Sequence, residues 1–138
     1  MSREQENVQL VQQHFALIGQ GNVRAAIDML AEGVDFQSPV TKTVSEEISW
    51  AKPRHSREEV ITFFQEFLQK VELEQINPFE FTAQGDRVVV EGRNRGRVKA
   101  TDRTYEHDWA MVFTIRRGKI VRHRHYYDTA DVLAAFRS

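Results

Sequence analysis

The run HDWAMVFTIRRGKIVRHRHYYDTADV, His107 to Val132, contains two strands, the turn between them and the start of a helix. His107, Trp109, Met111, Phe113 and Ile115 alternate with Asp108, Ala110, Val112 and Thr114, which gives one strand two unlike faces. Arg117-Gly118 supplies a turn. The alternation then resumes, with Val121, His123, His125 and Tyr127 opposing Ile120, Arg122, Arg124 and Tyr126. Asp128 or Thr129 caps a short last helix carrying Val132, Leu133 and Phe136.

Working toward the N-terminus, Thr101-Asp102-Arg103 and Gln84-Gly85-Asp86 separate two further strands, Arg87 to Ala100 and Glu72 to Ala83. In the first of these Val88, Val90, Gly92, Asn94, Gly96 and Val98 share a face, against Val89, Glu91, Arg93, Arg95, Arg97 and Lys99. Short turns between four consecutive strands predict an antiparallel meander. The first half is helical. Val8, Val11, Phe15 and Ile18 mark one face of a helix from Arg3 to Ile18, with Leu10, His14 and Leu17 beside them. Asn22 caps a second helix that buries Val23, Ala26, Ile27 and Leu30 and is expected to stop at Gly33. Val34 to Pro39 reads as a short strand, and Val40 to His55 as an irregular loop that could flap over a cavity. Ser56 and Glu59 form a capping box for a third helix presenting Val60, Phe63, Phe64, Phe67, Leu68 and Val71. Helices first and an antiparallel sheet second define an α+β fold.

A chain of 138 residues suits one domain, 1–138, that buries roughly 70% of its unfolded surface. A net charge of −1 provides no global field toward nucleic acid or an anionic membrane. With no cysteine there is no disulfide, thiol chemistry or thiolate metal site. The charged, amphipathic N-terminus lacks an export signal, and no apolar run approaches the ~20 residues of a membrane span, so a cytoplasmic protein is expected.

Three strings carry a resemblance: GNVRAAIDMLAEGVDFQSPV (Gly21 to Val40), ISWAKPRHSREEVITFF (Ile48 to Phe64) and the opening run. In order and spacing they resemble the SnoaL-like and ketosteroid-isomerase-like branches of the nuclear transport factor 2-like superfamily. The resemblance spans nearly the whole chain. It implies a cone in which N-terminal helices pack on a strongly curved antiparallel sheet around a pocket. It also implies a homodimer through the outer sheet face and chemistry without a cofactor. The superfamily hosts isomerases, cyclases, dehydratases, epoxide hydrolases and non-enzymatic binders, so the fold alone does not name a reaction.

Placing the apolar strand faces inward gives a cavity lined by His14, Trp109, Met111, His123, His125 and Tyr127 and closed by Phe63 or Phe67 and Trp50. Asn94 and Ser38 lie on inward strand faces and are counted as ligand-binding candidates. The ketosteroid-isomerase catalytic groups are absent. The resemblance places the aspartate base at Ser38, the tyrosine near His14 and the protonated aspartate near Trp109. In the SnoaL-like cyclases the acid/base carboxylate sits in the last strand, and the resemblance places that role at His125. A histidine of ordinary pKa serves as acid or base near neutral pH, which makes His125 the first candidate and His14 and His123 the next. Alternatively, His125 and His123 are half-buried and satisfied by hydrogen bonds.

The i, i+2 spacing of His123 and His125, with His107 on the next strand, also permits a metal site, but the resembled branches generally use none, and none is expected. Asp128 reads as a helix cap first, and Asp35 lies on an outward face. Arg93, Arg95, Arg97, Lys99, Arg122 and Arg124 form an outer stripe. Glu91, Glu106 and Asp108 share its face, so cross-strand ion pairs and a polar dimer interface are expected rather than nucleic-acid binding. The expected function is a cofactor-independent isomerase or cyclase-type lyase acting on a hydrophobic cyclic carbonyl compound. The competing class is a non-catalytic ligand-binding or accessory dimerisation domain. Epoxide hydrolysis would need inward carboxylates, which the strands do not supply.

Overall fold

Each break in the alternation becomes a turn in the computed structural model, which describes residues 1–137. Ser2 and Gln5 form a capping box that opens α1 (Arg3–Gly19), and Asn22 accepts from the Ala25 amide to start α2 (Val23–Asp28). β1 (Leu30–Gln37) follows at once. After an irregular stretch come α3 (Arg57–Lys70), β2 (Val71–Gln84), β3 (Arg87–Val98), β4 (Thr104–Arg116), β5 (Lys119–Tyr126) and α4 (Thr129–Phe136). The sheet order is β1-β5-β4-β3-β2, with β1 parallel to β5 and every other pair antiparallel. Helices packed on a curved five-stranded sheet make this an α+β fold.

The second helix is shorter than its sequence suggests. Leu30 pairs with Ile120, and the Ile120 amide donates to the Met29 carbonyl at 3.0 Å, so the chain is already strand where the apolar pattern still fits a helix. Gly33 therefore lies inside β1 and stops no helix. Ser56 caps α3 as expected, but the Glu59 carboxylate accepts from the His55 amide, one residue before the cap.

The strand faces follow the parity of the sequence except at one place. Thr114 pairs with Arg122 while Ile115 pairs with Ile120, leaving Val121 as an extra residue in β5. This bulge reverses the parity. Ile120 is fully buried and Val121 is not, so the expected inward position of Val121 is corrected to Ile120. His123 and His125 keep their inward side.

On the inner face of β3, two glycines leave room for rings. A Cβ on Gly92 would lie 2.2 Å from Cζ2 of Trp109, and one on Gly96 would lie 2.3 Å from Cζ of Tyr105. Each glycine is the cross-strand partner of the ring that covers it. The Trp109 ring is held from its other side by Phe15, stacked at 5.6 Å, and cannot lift away freely. Gly92→Ala is expected to cost about 1–3 kcal/mol through this overlap, read as a lower urea midpoint. An unchanged midpoint would show that the indole shifts without strain.

On the outer face Arg93 bridges Glu106 and Asp108, Arg95 bridges Glu74 and Glu106, and Arg97 bridges Glu72 and Asp102. The arginine stripe is thus largely neutralised within the sheet. Arg93 and Arg95 together hold the Glu106 carboxyl below its ordinary range.

A candidate active-site cavity

The cavity lies between the concave face of the sheet and α1 and α3. Its unfilled space, with the open solvent at its mouth included, is about 830 Å³. Apolar and aromatic side chains dominate its wall, and its polar members are His14, Ser38, Asn94, Tyr105, His107, His123, His125 and Tyr127. Among the described residues no Lys, Arg, Asp or Glu lines it. Every catalytic or ligand-binding candidate named from the sequence is a wall residue: His14, His123, His125, Trp50, Phe63, Phe67, Trp109, Met111, Tyr127, Ser38 and Asn94.

β5 delivers His123 and His125 to the same wall because they sit two residues apart beyond the bulge. The two rings meet very different neighbours. His123 stacks on Phe36 at 4.4 Å, touches Phe113 edge-on at 5.0 Å, and its Nδ1 has no hydrogen-bond partner. His125 Nδ1 is hydrogen-bonded to Ser38 Oγ at 2.9 Å, while its Nε2 is unpartnered. His14 reaches the cavity from α1, beside Phe15 and Phe113, and its Nδ1 is also unpartnered.

Burial sets the charge of all three. Removal from water pushes His14 down to about 4 and His125 down to about 3, with His107 adding to the shift at His125. His123 is also pushed well below its ordinary value, by burial first and then by the neighbouring His125, His14 and Arg124. At neutral pH these are uncharged imidazoles. Burial without a neighbouring carboxylate disfavours the imidazolium, so an acid or base role for His125 would start from the neutral ring.

The stretch between β1 and α3 is irregular, as its sequence suggests, but it is anchored rather than loose. Trp50 is 1% exposed, its Nε1 donates to Tyr127 Oη at 3.3 Å, and it contacts Phe67 edge-on at 5.2 Å. Backbone bonds between Phe36 and Arg54 tie the same stretch to β1, and the Arg54 guanidinium is buried beneath it. Asn94 Oδ1 accepts from Trp109 Nε1 at 2.7 Å and so fixes the indole over Gly92.

His107 was not a site residue by sequence reasoning beyond the metal possibility. Its Nδ1 is hydrogen-bonded to Asp131 Oδ2 at 2.8 Å, and its ring lies between Tyr105 at 5.5 Å and Tyr127 at 5.8 Å. The carboxylate missing from the strands arrives on α4. Its signal was DTAD: Asp128 caps the helix through the Asp131 amide, which leaves the second carboxylate free for another partner. Among the described residues no three His, Asp or Glu side chains are grouped to hold a metal ion. No helix among them is long and apolar enough to cross a membrane.

A SnoaL-like domain family model matches residues 11–123, most of the chain. The chain belongs to the SnoaL-like family. Among solved structures similar to this SnoaL-like protein, an NTF2-like protein from Burkholderia xenovorans is 34% identical over 96% of both chains, with a TM-score of 0.78. A candidate polyketide cyclase from Xanthomonas campestris is 23% identical over 97% of this chain and 98% of its own, with a TM-score of 0.80. TerC, co-crystallised with polyporic acid, is 20% identical over 96% and 98%, with a TM-score of 0.83. No curated protein matches the SnoaL-like chain.

Proposed function

We propose that this SnoaL-like protein is a cofactor-independent isomerase or cyclase-type lyase for an uncharged, hydrophobic cyclic carbonyl compound. One observation carries the reading. His125 sits in an apolar wall, is kept neutral by burial, and has one nitrogen on Ser38 and the other unpartnered. With the serine hydroxyl donating to Nδ1, the ring proton resides on Nε2 and can donate to a substrate oxygen. A neutral imidazole used in this way supports the negative charge that grows on a carbonyl oxygen as an adjacent carbon loses a proton. The selectivity for an uncharged ligand follows from the wall, since a carboxylate or phosphate would be buried there without a countercharge. The likeness to TerC, co-crystallised with polyporic acid, supports small-molecule binding on this fold.

A probe such as 2-tetralone, a neutral bicyclic ketone with acidic C–H bonds beside the carbonyl, tests this directly. It should raise the melting temperature, whereas 2-naphthoate should not. The protein should also speed exchange of the ketone's α-hydrogens with D2O, followed by NMR. His125→Ala should lower that rate by about 100-fold with binding retained, the scale of one acid–base or oxyanion group. An undiminished rate in His125→Ala would sink the assignment. Binding without exchange in the wild type would make the cavity a ligand-holding site only.

A further inference from the structure

We propose that His107 is a catalytic residue of this cavity, the base that carries the proton, with Asp131 as its positioning residue. The proposal rests on the reading above, in which His125 supports the substrate oxygen, and it assigns the group that moves the proton.

Four histidines line the cavity: His14, His107, His123 and His125. A ring that takes a proton becomes an imidazolium, and in a dry apolar wall that cation needs a countercharge. His14, His123 and His125 have none, and burial disfavours their charged forms. His107 alone of the four is hydrogen-bonded to a carboxylate, with Nδ1 at 2.8 Å from Asp131 Oδ2. A base oriented by a carboxylate on its far nitrogen is the arrangement that makes imidazole an effective proton acceptor.

The carboxylate is itself fixed. Oδ2 of Asp131 also accepts from the Glu106 amide at 3.1 Å, and the Asp131 amide donates to Oδ1 of Asp128 at 3.0 Å. Asp131 is therefore bound on both sides, to β4 and to the cap of α4. Its side chain is 36% exposed and keeps contact with water, while the His107 side chain is only 10% exposed. Tyr105 and Tyr127 lie nearly parallel to the His107 ring, with interplanar angles of 25° and 19°, and restrict its rotation. Because Asp131 takes Nδ1, Nε2 is the nitrogen left for a ligand.

His107 and His125 flank the same tyrosine, Tyr127, at 5.8 and 4.6 Å between ring centroids. A cyclic ketone with its oxygen at His125 would place a neighbouring carbon on the His107 side. In the step, Nε2 of His107 takes a proton from that carbon, and the C–H electron pair becomes the new C–C π bond. The carbonyl π pair moves to the oxygen, where His125 donates its hydrogen bond. Return of a proton from His107 to that carbon restores the carbonyl and neutral His107, and exchange of the imidazolium proton with solvent carries deuterium into the ketone. In a β,γ-unsaturated ketone, return to the γ-carbon instead moves the double bond into conjugation. Atoms and charge balance with no added reactant.

The test uses the full chain and 2-tetralone. In His107→Gln, α-hydrogen exchange should fall by about 100-fold or more while the thermal shift on binding persists. Asp131→Asn keeps an acceptor for the Glu106 amide but removes the charge. It should lower kcat for exchange by at least about 10-fold with KM little changed. A strongly deshielded Nδ1 proton of His107 should be seen by NMR in the wild type and disappear in the same variant, and Asp131→Glu should restore part of both. A merely structural role for Asp131 would instead lower stability and leave kcat alone. Wild-type exchange that survives intact in His107→Gln, or in a folded Asp131→Asn, overturns the proposal and leaves the role of His125 standing. Binding without any exchange in the wild type overturns both.

Discussion

Between pH 7 and pH 5 the protein is expected to lose about 2 kcal/mol of stability for His14 and about the same for His125, since each pH unit below an unfolded pKa of 6.5 is worth about 1.4 kcal/mol per ring. Unfolded, these rings take up protons below pH 6.5. Folded, burial keeps His14 neutral to about 4 and His125 to about 3. Across that window the unfolded state binds more protons, so stability is full above pH 6.5 and falls as the pH drops toward the folded values. His123 acts in the same direction. The two rings together approach the lower end of the stability of an ordinary domain, roughly 5–15 kcal/mol, so acid unfolding should begin unusually close to neutrality. Asp35 and Glu106 also have lowered pKa values, through Arg124 and through Arg93 and Arg95, but these surface carboxylates lose their contribution only below the ordinary carboxylate range. Urea melts at pH 7 and pH 5 should therefore show a large fall in midpoint at constant slope. His14→Leu should flatten that fall by one histidine's share. Equal midpoints at the two pH values would show that the rings are hydrated in the folded state.

Trp50→Ala is expected to cost about 3–5 kcal/mol, the range for deleting a large buried aromatic. Trp50 belongs to no regular element, yet it is 1% exposed and bridges Phe67 of α3, Tyr127 and Phe136 of α4. Its loss removes core volume and one of the supports of the helix that carries Asp131. Amide exchange in α4 should quicken along with the fall in urea midpoint. Trp50→Phe should cost less, about 1–2 kcal/mol, mainly from the lost donor to Tyr127. A Trp50→Ala variant as stable as the wild type would mean that the irregular stretch closes over the gap.

Most of the strand half was readable because its alternation has a single period and its turns carry Gly or Asp. Val88, Val90, Trp109, Met111 and Phe113 are buried as their parity requires. Reading failed where two elements had to meet before either could be recognised. Leu30 fits a helix face by spacing, and only its pairing with Ile120 makes it strand. Val121 violates alternation because the bulge is a property of two strands together. The same holds in the site. The aromatic wall followed from parity. The Asp131–His107 pair joins residues 24 apart, from a helix to a strand, and no periodicity within either segment announces it. The charge state of His125 was likewise invisible, because it depends on how completely neighbours exclude water.

The extra residue at Val121 has an implication for how this scaffold diverges. Without that one position, Thr114–Arg122 and Ile115–Ile120 would become consecutive pairs of a regular ladder, with Ile120, His123 and His125 still on the inner face. The bulge is therefore a place where the strand can change length by one residue without turning its imidazoles outward. A neutral lining survives that change, and new substrate charge on this scaffold has to come from the wall residues themselves.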